Sequence, residues 1–284
     1  MEPLFWRSTG QMPVRNLRRQ LQHGQLFWRE VGRPGQTVIF LHGSWQDGDQ
    51  WSDVISLLGQ RHHCLAPDLV GFGESERLQD KSAYSIAMQV NVLAELLDSL
   101  RLEAVVLVGH SLGAWVAARY ALQYPERVKG LCLLEPEGFT YEPKRWRRER
   151  WLVSPLAGLW LALTKPFARK SVPAGSPPQQ LTWLQNYRFR QMLRRHPAAC
   201  KLLFQRRRSA MESETIGNQL AVLSLPIVVL QGEKADKAAG RQLIQLLAMA
   251  APEAVVKVLP GSEELPSHEA KAVVDFLKYW LTLV

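Results

Sequence analysis

Ser111 lies in Gly109-His110-Ser111-Leu112-Gly113, after the apolar run 104–108 and before Ala114-Trp115-Val116-Ala117-Ala118. Strand, tight turn and helix in that order predict a nucleophile elbow, in which the glycines permit a strained turn that lifts the serine hydroxyl off a sheet. The small residues that follow let the helix pack close. A serine hydroxyl is a weak nucleophile at neutral pH. The chemistry suggested here, acyl transfer through a covalent serine intermediate, therefore also needs a base and a group to orient that base. Simple spacing does not single out a histidine for that role. His42 and His110 flank glycines in turn motifs, where packing accounts for them, and His23, His62, His63 and His196 stand in no catalytic register. His62-His63 lacks a third ligand at metal-binding spacing, so no metal is expected, and no organic cofactor is implied.

The elements that would hold such a serine can be read from the apolar patterning. Short runs rich in Val, Ile and Leu at 37–41, 63–67, 104–108, 130–135, 227–231 and 255–259 alternate with longer helical patterns. That alternation predicts an α/β fold, a mostly parallel sheet with flanking crossover helices. Residues 25–31 read as an additional strand leading in, whereas 1–23 fit no pattern. Ile86, Val90, Leu93, Leu97 and Leu100 recur at helical spacing, as do Val273, Leu277, Trp280 or Leu281, and Val284, marking two helices that cover the sheet. The 284 residues suffice for one large domain with an insertion. Cys64, Cys132 and Cys200 are odd in number and widely spaced, which suggests neither a disulfide framework nor a zinc site and fits a reducing compartment. No signal peptide is read at the N-terminus, where Arg7, Arg15, Arg18 and Arg19 accompany no continuous apolar stretch. The expected location is the cytoplasm.

Two further motifs precede the serine. Leu41-His42-Gly43-Ser44-Trp45 follows the first long buried run, and Asp68-Leu69-Val70-Gly71-Phe72-Gly73-Glu74-Ser75 follows the second. In this order the three motifs resemble the α/β-hydrolase fold superfamily, over about residues 25–284. The resemblance implies that the backbone N–H of Leu112 and one from Ser44 or Trp45 hold the oxyanion of a tetrahedral intermediate, where removing one donor costs about 10²–10³ in rate. It also implies the order serine, acid, histidine. The segment 227–236 looks like the strand and loop that carry the acid, with Asp236 as candidate, Glu233 competing, and Glu135 beyond the preceding strand as the alternative.

At the base the chain departs from the superfamily pattern. Where P-G-x-G-H-x-P-x-x-E is usual, the chain reads Pro260-Gly261-Ser262-Glu263-Glu264-Leu265-Pro266-Ser267-His268-Glu269. Glu264 takes the histidine's place while Pro260, Gly261, Pro266 and Glu269 keep register. His268 falls four residues on, in the first turn of the last helix behind a Ser267 cap, about 5.4 Å further along. An ordinary glutamate, with a pKa of roughly 4.3 against ~6.5 for histidine, is the weaker base. Two readings follow. One is a serine hydrolase of a carboxylic ester or thioester of a hydrophobic, lipid-like substrate, with an atypical or incomplete triad. The other is a catalytically inactive hydrolase-fold protein acting as a membrane-associated binding or assembly factor.

Between core segments 1–136 and 224–284 lies an insertion, 137–223, expected to form a helical cap. From 138 to 210 it carries sixteen Lys and Arg against Glu142 and Glu149, a net +14 in a chain whose total is +9. Everything outside that stretch is therefore net negative. Aromatic residues interleave with the charges, among them Trp146, Trp151, Trp160, Trp183 and Phe189, beside the thirteen-residue apolar run 151–163. That run is short of the ~20 residues that cross a bilayer. Basic and aromatic residues beside a short apolar run describe a segment lying on an anionic membrane surface, here the cytoplasmic face. No nucleic-acid-binding motif accompanies the charge, so nucleic acid is not expected as a partner. The sequence carries no signal for oligomeric state.

Overall fold

The computed structural model describes residues 13–32, 35–139, 143–168, 178–234, 254–262 and 264–284. Its strands are β1 (Arg15–Leu21), β2 (Gly24–Val31), β3 (Thr37–Leu41), β4 (His63–Pro67), β5 (Val105–His110), β6 (Val128–Leu134), β7 (Ile227–Gly232) and β8 (Val255–Leu259). They form one sheet in the order β1-β2-β4-β3-β5-β6-β7-β8. From β4 across to β8 every pair is parallel, and β3, β5 and β7 are buried along their whole length, as continuous apolar runs covered on both faces must be.

Alternate residues of the central strands face opposite helical layers. Val38, Phe40, Val106, Val108, Cys132 and Leu134 join a cluster with α1 (Ser52–Leu58) and α10 (Ala270–Trp280). The helix after the serine, α3 (Leu112–Gln123), packs on β3, β5 and β6, and α2 (Ile86–Ser99) packs on α3. Ala114, Ala117, Ala118 and Ala121 are fully buried, so close approach of α3 to the sheet follows from its small side chains.

One element escaped the sequence pattern. Within the stretch that showed none, β1 pairs antiparallel with β2 in a hairpin, and β2 pairs antiparallel with β4. Of the seven residues of β1 only Leu21 is buried, so an exposed edge strand rich in arginine offers no apolar alternation to read.

The chain divides into two compact units, 1–140 with 214–284, and 141–213. Residues 137–139 and 214–223 go with the larger unit. Ile216 and Gly217 donate backbone N–H groups to the carbonyls of Gly138 and Phe139 at 2.8 and 3.2 Å. The smaller unit is helical: α4 (Pro143–Val153), α5 (Pro155–Ala168), α6 (Pro178–Arg195), α7 (Pro197–Phe204) and α8 (Arg208–Glu214). Four of these open on proline, which is favoured at a first helical position where its missing N–H has no partner to lose. Leu152, Ala157, Leu161, Leu193, Leu203 and Phe204 are buried. Arg150 Nε donates to the Phe204 carbonyl at 2.9 Å, and Arg190 donates to the carbonyls of Leu152 and Ser154.

Candidate active site

Ser111 stands at the turn from β5 into α3 with φ +50° and ψ −113°, a left-handed conformation that costs a non-glycine residue on the order of 1–3 kcal/mol. The surroundings force it. Ser111 N–H donates to the Leu134 carbonyl at 2.9 Å, Gly113 N–H donates to the His42 carbonyl at 3.0 Å, and Ala114 N–H returns to the Ser111 carbonyl at 3.1 Å. Two glycines permit the close approach: a Cβ on Gly109 would lie 2.6 Å from Ala114 backbone, and one on Gly113 would lie 2.3 Å from the Leu41 carbonyl oxygen. As the first residue of α3, Leu112 directs an N–H away from any intrahelical acceptor, as an oxyanion donor must.

The loop after β3 comes directly to the serine. Ser44, almost fully buried, places its Oγ 3.1 Å from Ser111 Oγ and donates its own proton to Glu137 Oε2 at 2.8 Å. Trp45 is the next residue of that loop, partly buried. Buried polar residues fix the loop from behind. Gln50 Oε1 accepts from Gly43 N–H at 2.9 Å while its Nε2 meets His110 Nδ1 at 2.9 Å. His42 accepts the Leu69 N–H on Nε2 at 3.0 Å, so its Nδ1 carries the proton donated to the Gly43 carbonyl at 2.9 Å. Burial pushes the His42 imidazole down to about 4, leaving it neutral. Neither histidine is turned toward base chemistry.

The turn after β4 serves the same scaffold. Asp68, fully buried, accepts from Gly48 N–H and Glu74 N–H, both at 2.7 Å, and from Arg29 Nη1 at 2.8 Å. Burial pushes its carboxyl up, against the pull of those two backbone donors and of Arg29. Ser75 donates to the Asp68 carbonyl at 2.6 Å. The D-x-x-G-x-G-x-S motif is thus a structural clamp.

The sequence candidates for acid and base divide. Glu264 occupies the N-cap position of the short helix α9 (Leu265–His268) without a side-chain cap bond, and its Oε2 accepts from Gln46 Nε2 at 3.3 Å, which brings it to the loop that carries Ser44. His268, at the far end of α9, has its side chain exposed and donates its backbone N–H to the Glu264 carbonyl at 3.0 Å. Glu233 is exposed, and Asp236 lies outside the described residues. Glu135, at φ +42°, turns its carboxylate to the Gly232 N–H at 2.5 Å, stapling β6 to β7.

Glu137 was missed. The turn at Glu135 and Pro136 sends the chain back across the carboxyl end of β5, where Glu137 N–H donates to the Ser111 carbonyl at 3.2 Å. A signal was present: a second glutamate two residues beyond the alternative acid, at the sheet edge where ligands of open α/β sheets bind.

A family model described as alpha/beta hydrolase fold matches residues 36–265. An uncharacterized protein of Mycobacterium tuberculosis is 36% identical over 118 residues, 42% of this chain and 34% of that one. A 1-acylglycerol-3-phosphate O-acyltransferase, ABHD5 of Rattus norvegicus, is 37% identical over 132 residues, 46% of this chain and 37% of that one. The chain thus spans about a third of the length of these curated relatives. A thermophilic esterase from Thermogutta terrifontis superposes with a TM-score of 0.69 over 94% of this chain and 98% of its own, at 20% identity, a likeness of fold.

Proposed function

Because the chain belongs to the alpha/beta hydrolase fold family, we propose that it cleaves a carboxylic ester or thioester of a hydrophobic substrate with Ser111 as nucleophile. One observation carries this reading: Ser111 is held at a positive φ on the turn before α3, its hydroxyl beside the Ser44 loop. Attack by Ser111 Oγ on the carbonyl carbon pushes the π electrons onto oxygen, and the N–H groups of Leu112 and the Ser44–Trp45 loop receive that charge. In this reading Asp236 is the acid, and Glu264 or His268 serves beside it. A relative named as a 1-acylglycerol-3-phosphate O-acyltransferase adds support for acyl chemistry on a lipid.

A second reading, a non-catalytic role in the same fold, is favoured by one observation: the residue that meets Gln46 is Glu264, and not a histidine. Labelling with a fluorophosphonate separates the two. Catalysis predicts covalent modification of the wild type that Ser111→Ala abolishes. A wild type that labels no faster than Ser111→Ala leaves the non-catalytic reading.

The substrate is proposed to be met at an anionic membrane surface through the helical unit. On α5, Leu156, Leu159, Trp160 and Leu163 recur at i, i+3, i+4 and i+7 and are 72, 57, 43 and 66% exposed, while Ala157 and Leu161 are buried. A helix that buries one apolar stripe and leaves a second in water presents an interaction surface. Trp151 packs edge-on against Trp160 with ring centroids 5.7 Å apart, and Arg147, Arg148 and Lys165 are exposed in the same unit. No helix among the described residues is long and apolar enough to cross a membrane. The protein is expected to co-sediment with phosphatidylcholine vesicles containing phosphatidylglycerol and less with phosphatidylcholine alone. Charge reversal of Arg147 and Arg148 removes about 1 kcal/mol per residue, roughly 30-fold in binding, at low salt. Trp160→Ala lowers the part that survives 1 M salt. Equal, negligible binding to both vesicles at low salt refutes the surface.

A further inference from the structure

We infer that Ser111 loses its proton through Ser44 to Glu137, a relay in which the Glu137 carboxylate acts as base in place of Glu264 or His268. The inference rests on the reading of Ser111 as nucleophile and goes beyond it by assigning the path of its proton.

The direction of the chain follows from valence. A serine hydroxyl has one proton and two acceptor lone pairs. Ser44 gives its proton to Glu137 Oε2 at 2.8 Å, so in the 3.1 Å contact between the two hydroxyls Ser111 is the donor. The sequence Ser111 O–H to Ser44 O–H to Glu137 carboxylate is therefore already aligned before any substrate arrives. Such chains polarise one another, and Ser44 is almost fully buried, where that effect is strongest. The positions are fixed: Glu137 by its backbone N–H on the Ser111 carbonyl at 3.2 Å, and Ser44 by a loop whose preceding glycine is held by Gln50.

The step balances without another reactant. As Ser111 Oγ bonds to the carbonyl carbon, the C=O π pair moves to the carbonyl oxygen, the Ser111 proton passes to Ser44 Oγ, and the Ser44 proton passes to Glu137 Oε2. Glu137 becomes a neutral acid while the intermediate carries the negative charge. Collapse reforms C=O and breaks the bond to the leaving alkoxide or thiolate, which takes a proton from Ser44 Oγ as Glu137 returns one to Ser44. Water then attacks the acyl-enzyme, its proton entering the relay. Ser111 Oγ departs and regains a proton. The departing oxygen or sulfur is protonated, through Ser44, by a group that was neutral only after the first transfer, so one carboxyl serves both halves.

Glu137→Gln is the direct test, since the amide keeps the volume and an acceptor for Ser44 but cannot take a proton. The rate of fluorophosphonate labelling of the full chain is expected to fall by about 10²–10⁴, the usual contribution of a general base. Ser44→Ala is expected to fall comparably. Because the two act in series, the double variant should fall no further than the slower single one, a non-additivity that two independent packing defects would not give. The wild type supplies a readout needing no variant: its labelling rate against the deuterium fraction of the solvent should curve, as two protons in flight require. Labelling of Glu137→Gln at the wild-type rate, or a straight-line deuterium dependence, overturns the relay while leaving Ser111 the nucleophile. A loss of labelling in Glu264→Gln with none in Glu137→Gln moves the base to the α9 loop. A wild type that labels no faster than Ser111→Ala overturns the nucleophile and the relay together.

Discussion

In the Glu137→Gln background, where the Ser44 relay has no carboxylate to take its proton, Glu264→His raises kcat/KM for short-chain p-nitrophenyl esters by about 10²-fold or more. The side chain at 264 already reaches Gln46, two residues from Ser44, so an imidazole there enters the neighbourhood of Ser111 without a change in the backbone of α9. A positioned general base contributes about 10²–10⁴. The gain should carry its own signature. The rate falls as pH drops through the histidine range, near 6.5, because a protonated imidazole cannot accept the serine proton. It should vanish in combination with Ser111→Ala and shrink with Asp236→Asn, the proposed orienting acid. A folded variant with no gain at neutral pH shows that position 264 does not address the serine.

Gly113→Ala should be among the most damaging single-methyl additions in the chain. Its Cβ would lie 2.3 Å from the Leu41 carbonyl oxygen, 2.4 Å from the Leu41 carbonyl carbon and 2.6 Å from the His42 carbonyl oxygen, all backbone atoms of the strand end and loop beneath α3. Neither side can yield cheaply, so the start of α3 must lift and the Gly113 N–H to His42 bond at 3.0 Å must break. Overpacking of this kind costs about 1–3 kcal/mol, with backbone collision at the upper end, or some 2–4 °C in Tm per kcal/mol. The proposed reaction suffers twice, since lifting α3 moves Ser111 and a 1 Å misplacement costs about 10²-fold. Gly217→Ala is the control: its φ, unlike that of Gly113, is positive, at +54°, but nothing lies within 4 Å of the added methyl, so only backbone strain of about 1–2 kcal/mol remains. Equal melting temperatures and labelling rates for Gly113→Ala and wild type would contradict this account of the elbow.

The central parallel strands were legible because burial on both faces demands unbroken apolar runs, and 37–41 and 63–67 coincide with β3 and β4; 255–259 coincides with β8 as well, although only Leu259 of that edge strand is buried. The edge hairpin was not, since Arg15, Arg18 and Arg19 face water and the pairing is carried by backbone groups. In the candidate site, the turn around Ser111 is a local affair of glycines and small residues and could be read from five letters. The partnership of Ser44 with Glu137 spans 93 positions and follows the positive-φ turn at Glu135 after β6, which spacing alone does not encode. Ser44 was chosen for its backbone, whereas its hydroxyl makes the contact with the serine.

The Ser44 loop is fastened at both ends, Gly43 to Gln50 and Gly48 to Asp68. Its conformational entropy is surrendered when the chain folds, so a ligand arriving at Ser111 meets a mould and has no loop to set. Discrimination between ligands then falls to rigid shape and to the ligand's own freedom, and a flexible chain gives up more on binding than a stiff one of equal area.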